Sequence, residues 1–156
     1  MAGNHRLVQE SQVGQVPSPE SLPRVVLISP KGPLYRHKGG IFGKGLRYMP
    51  QTFPTLAALV PEDVLLQLRC HDEGVETIDP ETLEADLVGM TVITGSAPRA
   101  YELAAVFRRR GIPVVLGGPH ITLAPEDATP HADAIVVGWA EETWPQLLRD
   151  WQAGAL

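Results

Sequence analysis

The chain has 156 residues, of which 44% are hydrophobic and 20% charged, a composition typical of one soluble domain with a hydrophobic core. Its formal net charge of -5 disfavours nucleic acid as a partner, because a phosphate backbone would repel an acidic protein. No apolar run is long enough for a membrane span, and the N-terminus has no apolar signal core, so the sequence predicts a cytoplasmic protein without a membrane partner.

Cysteine usage excludes several kinds of site. The single cysteine, Cys70, cannot form an intramolecular disulfide, and by itself it cannot hold an iron–sulfur cluster or a structural zinc ion. Free cysteines are among the most buried residues of proteins. We therefore expect Cys70 to be a buried thiol in the core.

In chain order, the predicted elements alternate between strands and helices. Residues 1–23 mix Gln, Ser, Pro and Gly without an apolar period, which predicts a flexible N-terminal arm before a domain at residues 24–156. Continuous apolar runs, typical of strands buried on both faces, lie at 24–29, 87–93, 113–116 and 134–137, with a weaker run at 64–70. Helices are predicted at 52–60, 98–110 and 141–152.

This alternation predicts an α/β fold with a doubly wound, five-stranded parallel sheet of the flavodoxin-like (Rossmann-like) type. In such sheets, ligands bind above the carboxyl ends of the strands. The loops at 30–50, 94–98, 117–122 and 138–142 follow strands, and we therefore expect the functional residues there.

The first of these loops is positively charged. Between residues 31 and 49 it contains five lysines and arginines, several glycines and no acidic residue. In an acidic protein this pattern favours an anionic or amide-rich ligand that approaches the backbone closely. The alternative is a solvated, mobile surface loop.

Two further loops have small residues in positions suited to a ligand. Thr94, Gly95, Ser96 and Ala97 directly precede a predicted helix, where free N–H groups favour an acceptor, although a plain helix cap would have the same sequence. The Gly-Gly pair at 117–118 would let a flat group lie against the backbone.

The five histidines are dispersed, and no spacing predicts a metal or nucleophile site.

Together, several motifs resemble the cobalamin-binding domain of cobalamin-dependent radical S-adenosylmethionine enzymes. The resemblance extends from about residue 24 to the end of the chain. The motifs are Lys31-Gly32-Pro33, Tyr48-Met49-Pro50, the helix at 55–61, Asp86-Leu87-Val88-Gly89, the segment at 94–104 and the segment at 109–120.

The resemblance implies that cobalamin is the cofactor and that its nucleotide tail enters the sheet beside the third and fourth strands, with the corrin ring above. The residues it implies for tail and corrin contact are Thr94, Gly95, Ser96, Ala97, Gly117, Gly118, Pro119, His120, Val137, Gly138, Trp139 and Glu141, with Tyr35, Arg36, His37 and Phe42 from the first loop. We expect valine at Gly117 or Gly118 to abolish binding and leave the fold intact.

The chain departs from the family pattern at two places. Family members commonly have Gly-Glu-Gly-Glu after the fifth strand, whereas this chain has Gly138-Trp139-Ala140-Glu141, so Trp139 either stacks on the corrin or plugs the loop. The radical domain and its Cys-x-x-x-Cys-x-x-Cys motif do not follow before Leu156, which predicts a stand-alone module that performs no radical initiation.

A histidine ligand to cobalt is not supported by the first loop. Relatives such as the mutases carry Asp-x-His-x-x-Gly there, but this chain places Tyr35 at the aspartate position if His37 is the ligand, and an alternative alignment places Tyr35 itself near cobalt. Without an aspartate to orient and polarise the imidazole, a His37–cobalt bond is weakly supported. The prediction is base-off binding without a histidine ligand and without a confident metal ligand.

Three functions stay open from the sequence. The first is a carrier, sensor or cofactor-presenting module for cobalamin. The second is the cobalamin subunit of a split radical S-adenosylmethionine methyltransferase, whose partner would be a separate radical or methyltransferase protein; a homodimer could cover the same surface. The third is a flavin- or nucleotide-binding domain, because one fold supports several functions.

Overall fold

The computed structural model describes residues 18–32 and 51–156. Five strands are present in these residues: β1 (Arg24–Ser29), β2 (Gln67–Asp72), β3 (Leu87–Thr91), β4 (Val114–Gly117) and β5 (Ala134–Ile135). The helices are α1 (Thr52–Ala58), α2 (Ala97–Arg109), α3 (Pro119–Leu123), α4 (Pro125–Ala128) and α5 (Ala140–Gln152). Residues 1–17, which make up most of the predicted N-terminal arm, lie outside the described residues.

The five strands form one parallel sheet in the order β2-β1-β3-β4-β5. This is the flavodoxin-like order, so the predicted fold class is confirmed. Since β1 has β2 on one side and β3 on the other, the direction of winding reverses between β1 and β3. The carboxyl ends next to this switch point are where ligands bind in such sheets.

Alternate side chains of the strands enter two separate cores. Val26 and Ile28 of β1 pack with α2, α3 and α4, on what we call the α2 face of the sheet. Val25 and Leu27 pack with α1 and α5, on the α1/α5 face. Both sets of β1 side chains are at most 2% exposed, which explains why the strand has an uninterrupted apolar sequence.

An ion pair with a buried carboxylate and a partly exposed arginine fixes the chain where it leaves β1. The carboxylate of Glu73 is almost fully buried and accepts hydrogen bonds from Nε and Nη2 of Arg99, the latter at 2.8 Å. It also accepts the backbone N–H of Lys31 at 3.2 Å. The bonds to Glu73 raise the pKa of Arg99. The loop after β1, the start of α2 and the loop after β2 are therefore joined at the carboxyl end of the sheet.

The second strand differs from the prediction in position and in the burial of its cysteine. It begins at Gln67 because Val64, a predicted strand residue, lies in a turn closed by its N–H bond to Pro61 O at 3.0 Å. Cys70 was expected in the core, but this expectation is wrong: the residue is exposed, because β2 is an edge strand that pairs on one side with β1. Partial desolvation raises the pKa of its thiol.

None of the helices formed by residues 18–32 and 51–156 has the length and apolar character needed to cross a membrane.

Candidate functional site

A cavity of about 730 Å³ opens at the carboxyl ends of the central strands and extends along the α1/α5 face of the sheet. This volume lies within the range of about 300–1,000 Å³ for small-molecule sites. Its lining comes from strands β1, β3 and β4, from the loops after β4 and β5, and from helices α1, α3 and α5 with the residue before α1. The lining residues are Leu27, Ile28, Gln51, Thr52, Phe53, Thr55, Leu56, Gly89, Met90, Thr91, Val115, Gly117, Gly118, Pro119, Thr122, Leu123, Val136, Gly138, Trp139, Ala140, Glu141 and Trp144.

Gly89 and Trp144 shape the inner part of this cavity. A Cβ at Gly89, in the middle of β3, would lie 2.9 Å from Leu27 Cδ2 and 3.8 Å from the indole of Trp144. The indole N–H of Trp144 donates to Leu56 O of α1 at 3.1 Å, which links α5 to α1. The glycine thus lets the tryptophan lie against the sheet, and the indole is held in place at the cavity wall.

The two glycines at 117–118 differ in how strictly the structure excludes a side chain. Gly118 has φ +101°, and a Cβ there would lie 2.8 Å from Val92 N and 2.9 Å from Val92 O. Gly117 has no such backbone constraint, and its Cβ would lie 3.4 Å from Val136 Cβ. The expectation that valine at Gly118 leaves the fold intact is therefore wrong, because backbone atoms occupy the space that a side chain would need.

Backbone hydrogen bonds hold the glycine pair against the end of β3. The N–H of Val92 donates to Gly117 O at 2.8 Å, and the N–H of His120 donates to Val92 O at 3.0 Å. The pair therefore forms a rigid edge of the cavity at the carboxyl ends of two adjacent strands.

Six of the predicted site residues lie together at the cavity: Gly117, Gly118, Pro119, Gly138, Trp139 and Glu141. The Gly138 N–H donates to Thr122 Oγ1 at 3.0 Å, which joins the loop after β5 to α3. Trp139 immediately precedes α5 and is 86% exposed, and Leu123, which also lines the cavity, is 82% exposed. Two strongly exposed apolar side chains thus lie among the residues that line the cavity.

The segment at 94–97 lies at the same end of the sheet but packs elsewhere. Ser96 is buried, and its hydroxyl accepts the Ile93 N–H at 3.3 Å and lies 3.2 Å from Ile93 O, to which it donates. Ala97 is buried in the core of the α2 face, whereas Thr94 and Gly95 are exposed. The hydroxyl of Ser96 therefore bonds back to Ile93 and makes no side-chain cap bond to α2, so the alternative interpretation of this serine as a helix cap is not confirmed.

His120 has its imidazole in the α2 side of the structure. It is 8% exposed, and its Nε2 lies 3.1 Å from Tyr101 Oη, while the Tyr101 ring stacks on His131 at 4.1 Å between ring centroids. Burial is the main cause that raises the pKa of Tyr101.

Val137, the remaining described site residue, is about half exposed next to Gly138. Tyr35, Arg36, His37 and Phe42 lie outside the described residues.

Sequence reasoning did not assign several residues of the cavity wall. Gly89, Thr91 and Trp144 line the cavity, but in the sequence they belonged to a strand and a helix rather than to a loop. One signal could have indicated the first of them, because a glycine inside a buried strand marks a close approach of another group.

The parallel sheet in flavodoxin-like order, with an apolar cavity at its carboxyl ends, defines a ligand-binding α/β domain. Residues 53–148 match the family model described as the B12 binding domain, and the chain belongs to this family. Cobalamin is therefore its cofactor.

Curated relatives include two bacteriochlorophyllide methyltransferases of Chlorobaculum tepidum. The bacteriochlorophyllide d C-8(2)-methyltransferase is 57% identical over 65 residues, which cover 42% of this chain and 14% of the relative. The bacteriochlorophyllide d C-12(1)-methyltransferase is 29% identical over 75 residues, or 48% and 16% of the two chains. An uncharacterized methyltransferase of Pyrococcus horikoshii is 36% identical over 70 residues, or 42% and 15%.

The matched segments thus span only 14% to 16% of the length of these relatives. No solved structure gives a significant match. The family match and the methyltransferase relatives confirm the resemblance to the cobalamin-binding domain of cobalamin-dependent radical S-adenosylmethionine enzymes.

The described residues fit cobalamin at the level of shape and polarity. Cobalamin carries a nucleotide tail with a flat aromatic base, and the cavity offers a space of suitable size whose wall is mainly apolar. Because Gly117, at the end of β4, has no side chain, the opening of the cavity is not filled at this point.

Proposed function

We propose that the chain binds cobalamin in the base-off state and acts as a carrier, sensor or presenting module for it. The cavity on the α1/α5 face supports this proposal, because it extends from the carboxyl ends of the strands along the sheet. A nucleotide tail inserted there would hold its base away from the cobalt. In this position Gly117, Gly118 and Pro119 contact the tail at the end of β4, and Gly138, Trp139 and Glu141 contact the cofactor from the loop after β5.

The second part of the proposal is that no histidine coordinates the cobalt on the lower face of the corrin ring. No histidine of the described segments lines the cavity, and the imidazole of His120 is engaged by Tyr101 in the α2 side of the structure. His37 lies outside the described residues, and the sequence places Tyr35 where an orienting aspartate would be needed.

The exposed apolar residues at the opening are evidence that a partner protein contacts the module when the cofactor is bound. Leu123 and Trp139 are more than 80% exposed although both line the cavity, and such groups are typical of binding surfaces. In the proposed complex they contact the corrin edge, and a separate radical S-adenosylmethionine or methyltransferase protein, or a second copy of the chain, covers the remaining face. Bound cobalamin supplies a cobalt centre able to carry a methyl group.

We expect the purified chain to bind one equivalent of hydroxocobalamin and to give a base-off spectrum. In the reduced Co(II) form, electron paramagnetic resonance should show no superhyperfine splitting from a nitrogen ligand, because no histidine and no base coordinates the cobalt. Splitting that disappears in His37→Ala would overturn the proposal that no histidine coordinates the cobalt. Corrin that stays with small molecules in gel filtration, with co-elution of FMN, would overturn cobalamin binding itself.

A second candidate function is the cobalamin subunit of a split methyltransferase. The 57% identity to a segment of the bacteriochlorophyllide d C-8(2)-methyltransferase favours it, since that relative is named for methyl transfer. In this function the chain presents the cofactor, and the radical chemistry is supplied by another polypeptide.

The isolated chain should perform no methyl transfer. Its one cysteine cannot hold a radical-initiating iron–sulfur cluster, so incubation with cobalamin, S-adenosylmethionine and reductant should yield neither methylated product nor 5′-deoxyadenosine. Mass spectrometry measures both products. Their formation in an uncontaminated sample would contradict a non-catalytic module, whereas their formation only after addition of a purified radical protein would favour the split enzyme.

A further inference from the structure

The deep wall of the cavity consists of buried apolar groups. On the sheet side lie Leu27, Val115 and Val136, and on the helix side lie Phe53 and Trp144, all of them at most 8% exposed. The backbone of the three central strands is paired in the ladder at this depth, for example between Leu27 and its partner on β3. A group that reaches this wall therefore meets apolar side chains and paired backbone.

Polar side chains around the cavity are largely engaged with the protein itself. The indole N–H of Trp144 is used by Leu56 O at 3.1 Å. The hydroxyl of Thr55 donates to the carbonyl four residues earlier at 2.9 Å, and that of Thr122 donates to Gly118 O at 3.1 Å. These groups have their donor hydrogens occupied before any ligand enters.

The other polar residues of the lining lie nearer to solvent than the deep wall. Gln51 and Glu141 are exposed, and Thr52 and Thr91 are half-buried. They can contact a ribose, a phosphate or an amide near the opening, but the buried wall itself offers no free hydrogen-bonding side chain among the residues that line it.

We infer that this cavity selects the base of the cofactor's nucleotide tail and prefers a benzimidazole to a purine. The inference rests on the proposed function, in which the tail enters the cavity. A dimethylbenzimidazole presents an apolar edge with two methyl groups to the wall, whereas adenine presents ring nitrogens and an exocyclic amine. Buried polar atoms of the ligand that find no partner weaken binding, and buried methyl groups strengthen it.

Competition binding with three corrinoids tests this inference. The probes are cobalamin, its analogue with adenine as the lower base, and cobinamide, which lacks the nucleotide. We expect affinities to fall from cobalamin to the adenine analogue by about tenfold or more, as is typical when a hydrophobic pocket loses methyl groups or receives unpaired polar ones. Cobinamide should bind more weakly than cobalamin, because it has no nucleotide tail to fill the cavity.

Two valine-to-threonine variants provide a matched comparison. Val115→Thr places a hydroxyl on the deep wall, where it can pair with a purine, and should reduce the preference for cobalamin several-fold. Val114→Thr makes the same change one residue earlier on β4, but on the α2 face, and should leave the preference unchanged. Circular dichroism and urea unfolding confirm that both variants are folded before their affinities are compared.

The outcomes separate this inference from the proposed function. Equal affinities for cobalamin and the adenine analogue, or for cobalamin and cobinamide, would overturn the selection by the cavity while cobalamin binding stands. Equal effects of the two threonine variants would also overturn it. Failure of all three corrinoids to bind would instead overturn the proposed function.

Discussion

Replacement of Gly117 by valine is expected to weaken cobalamin binding strongly and to leave the fold intact. Gly117 lines the cavity at the end of β4, and its backbone conformation is one that other residues can adopt. The two methyl groups of valine would extend from the α1/α5 face into the opening, where the tail is proposed to enter. Overpacking costs about 1–3 kcal/mol in a filled site, and the upper end of this range corresponds to the affinity loss of about 100-fold that we expect.

Isothermal titration calorimetry with hydroxocobalamin measures this loss, and urea unfolding measures stability. Ala105→Val serves as the control, because it adds the same two methyl groups at an exposed position of α2, remote from the cavity. Unchanged affinity of a folded Gly117→Val protein would remove Gly117 from the binding site. A loss of similar size in Ala105→Val would show that the effect is not local.

The fold was predictable because its signals are local and repeated. The uninterrupted apolar sequence of β1 and the ordered alternation of strands and helices define a parallel sheet without reference to distant contacts. Edge effects were not predictable in the same way. Cys70 has the sequence environment of a strand residue, and only the position of β2 at the end of the sheet makes it exposed.

The candidate site was only partly predictable from the sequence. Parallel strands bring their carboxyl ends together, which is why residues from the loops after β4 and β5 meet at one cavity. The face of the sheet on which a side chain lies was not apparent. Within the segment at 117–120, Gly117 borders the cavity on the α1/α5 face, whereas the imidazole of His120 pairs with Tyr101 of α2.

The cavity wall depends on contacts between segments that are far apart in sequence. Trp144 has the pattern of an ordinary core residue of an amphipathic helix, and its role in the wall arises from its bond to Leu56 and from the missing side chain at Gly89. Helix periodicity predicts that such a tryptophan is buried. It does not predict which strand residue lies opposite.

Replacement of Gly118 by alanine should destabilise the protein even without ligand. The residue has φ +101°, and the new Cβ would lie within 3 Å of both the N and O atoms of Val92, which belong to the backbone and cannot rotate away. Since Val92 also bonds to Gly117 and His120, the shift would disturb the joined ends of β3 and β4. We expect a loss of about 4 kcal/mol or more in the free energy of unfolding, a magnitude associated with steric changes in the interior.

Gly111→Ala is the matched control for this variant. Gly111 also has a positive φ, +76°, but a Cβ there would have no atom within 4 Å, so alanine should cost only the conformational penalty of about 1–2 kcal/mol. Urea unfolding of both proteins, with circular dichroism at 222 nm as the signal, separates the two contributions. Similar losses in the two variants would show that the positive φ alone accounts for the glycine at 118, and that the close approach of Val92 does not constrain the loop that borders the cavity.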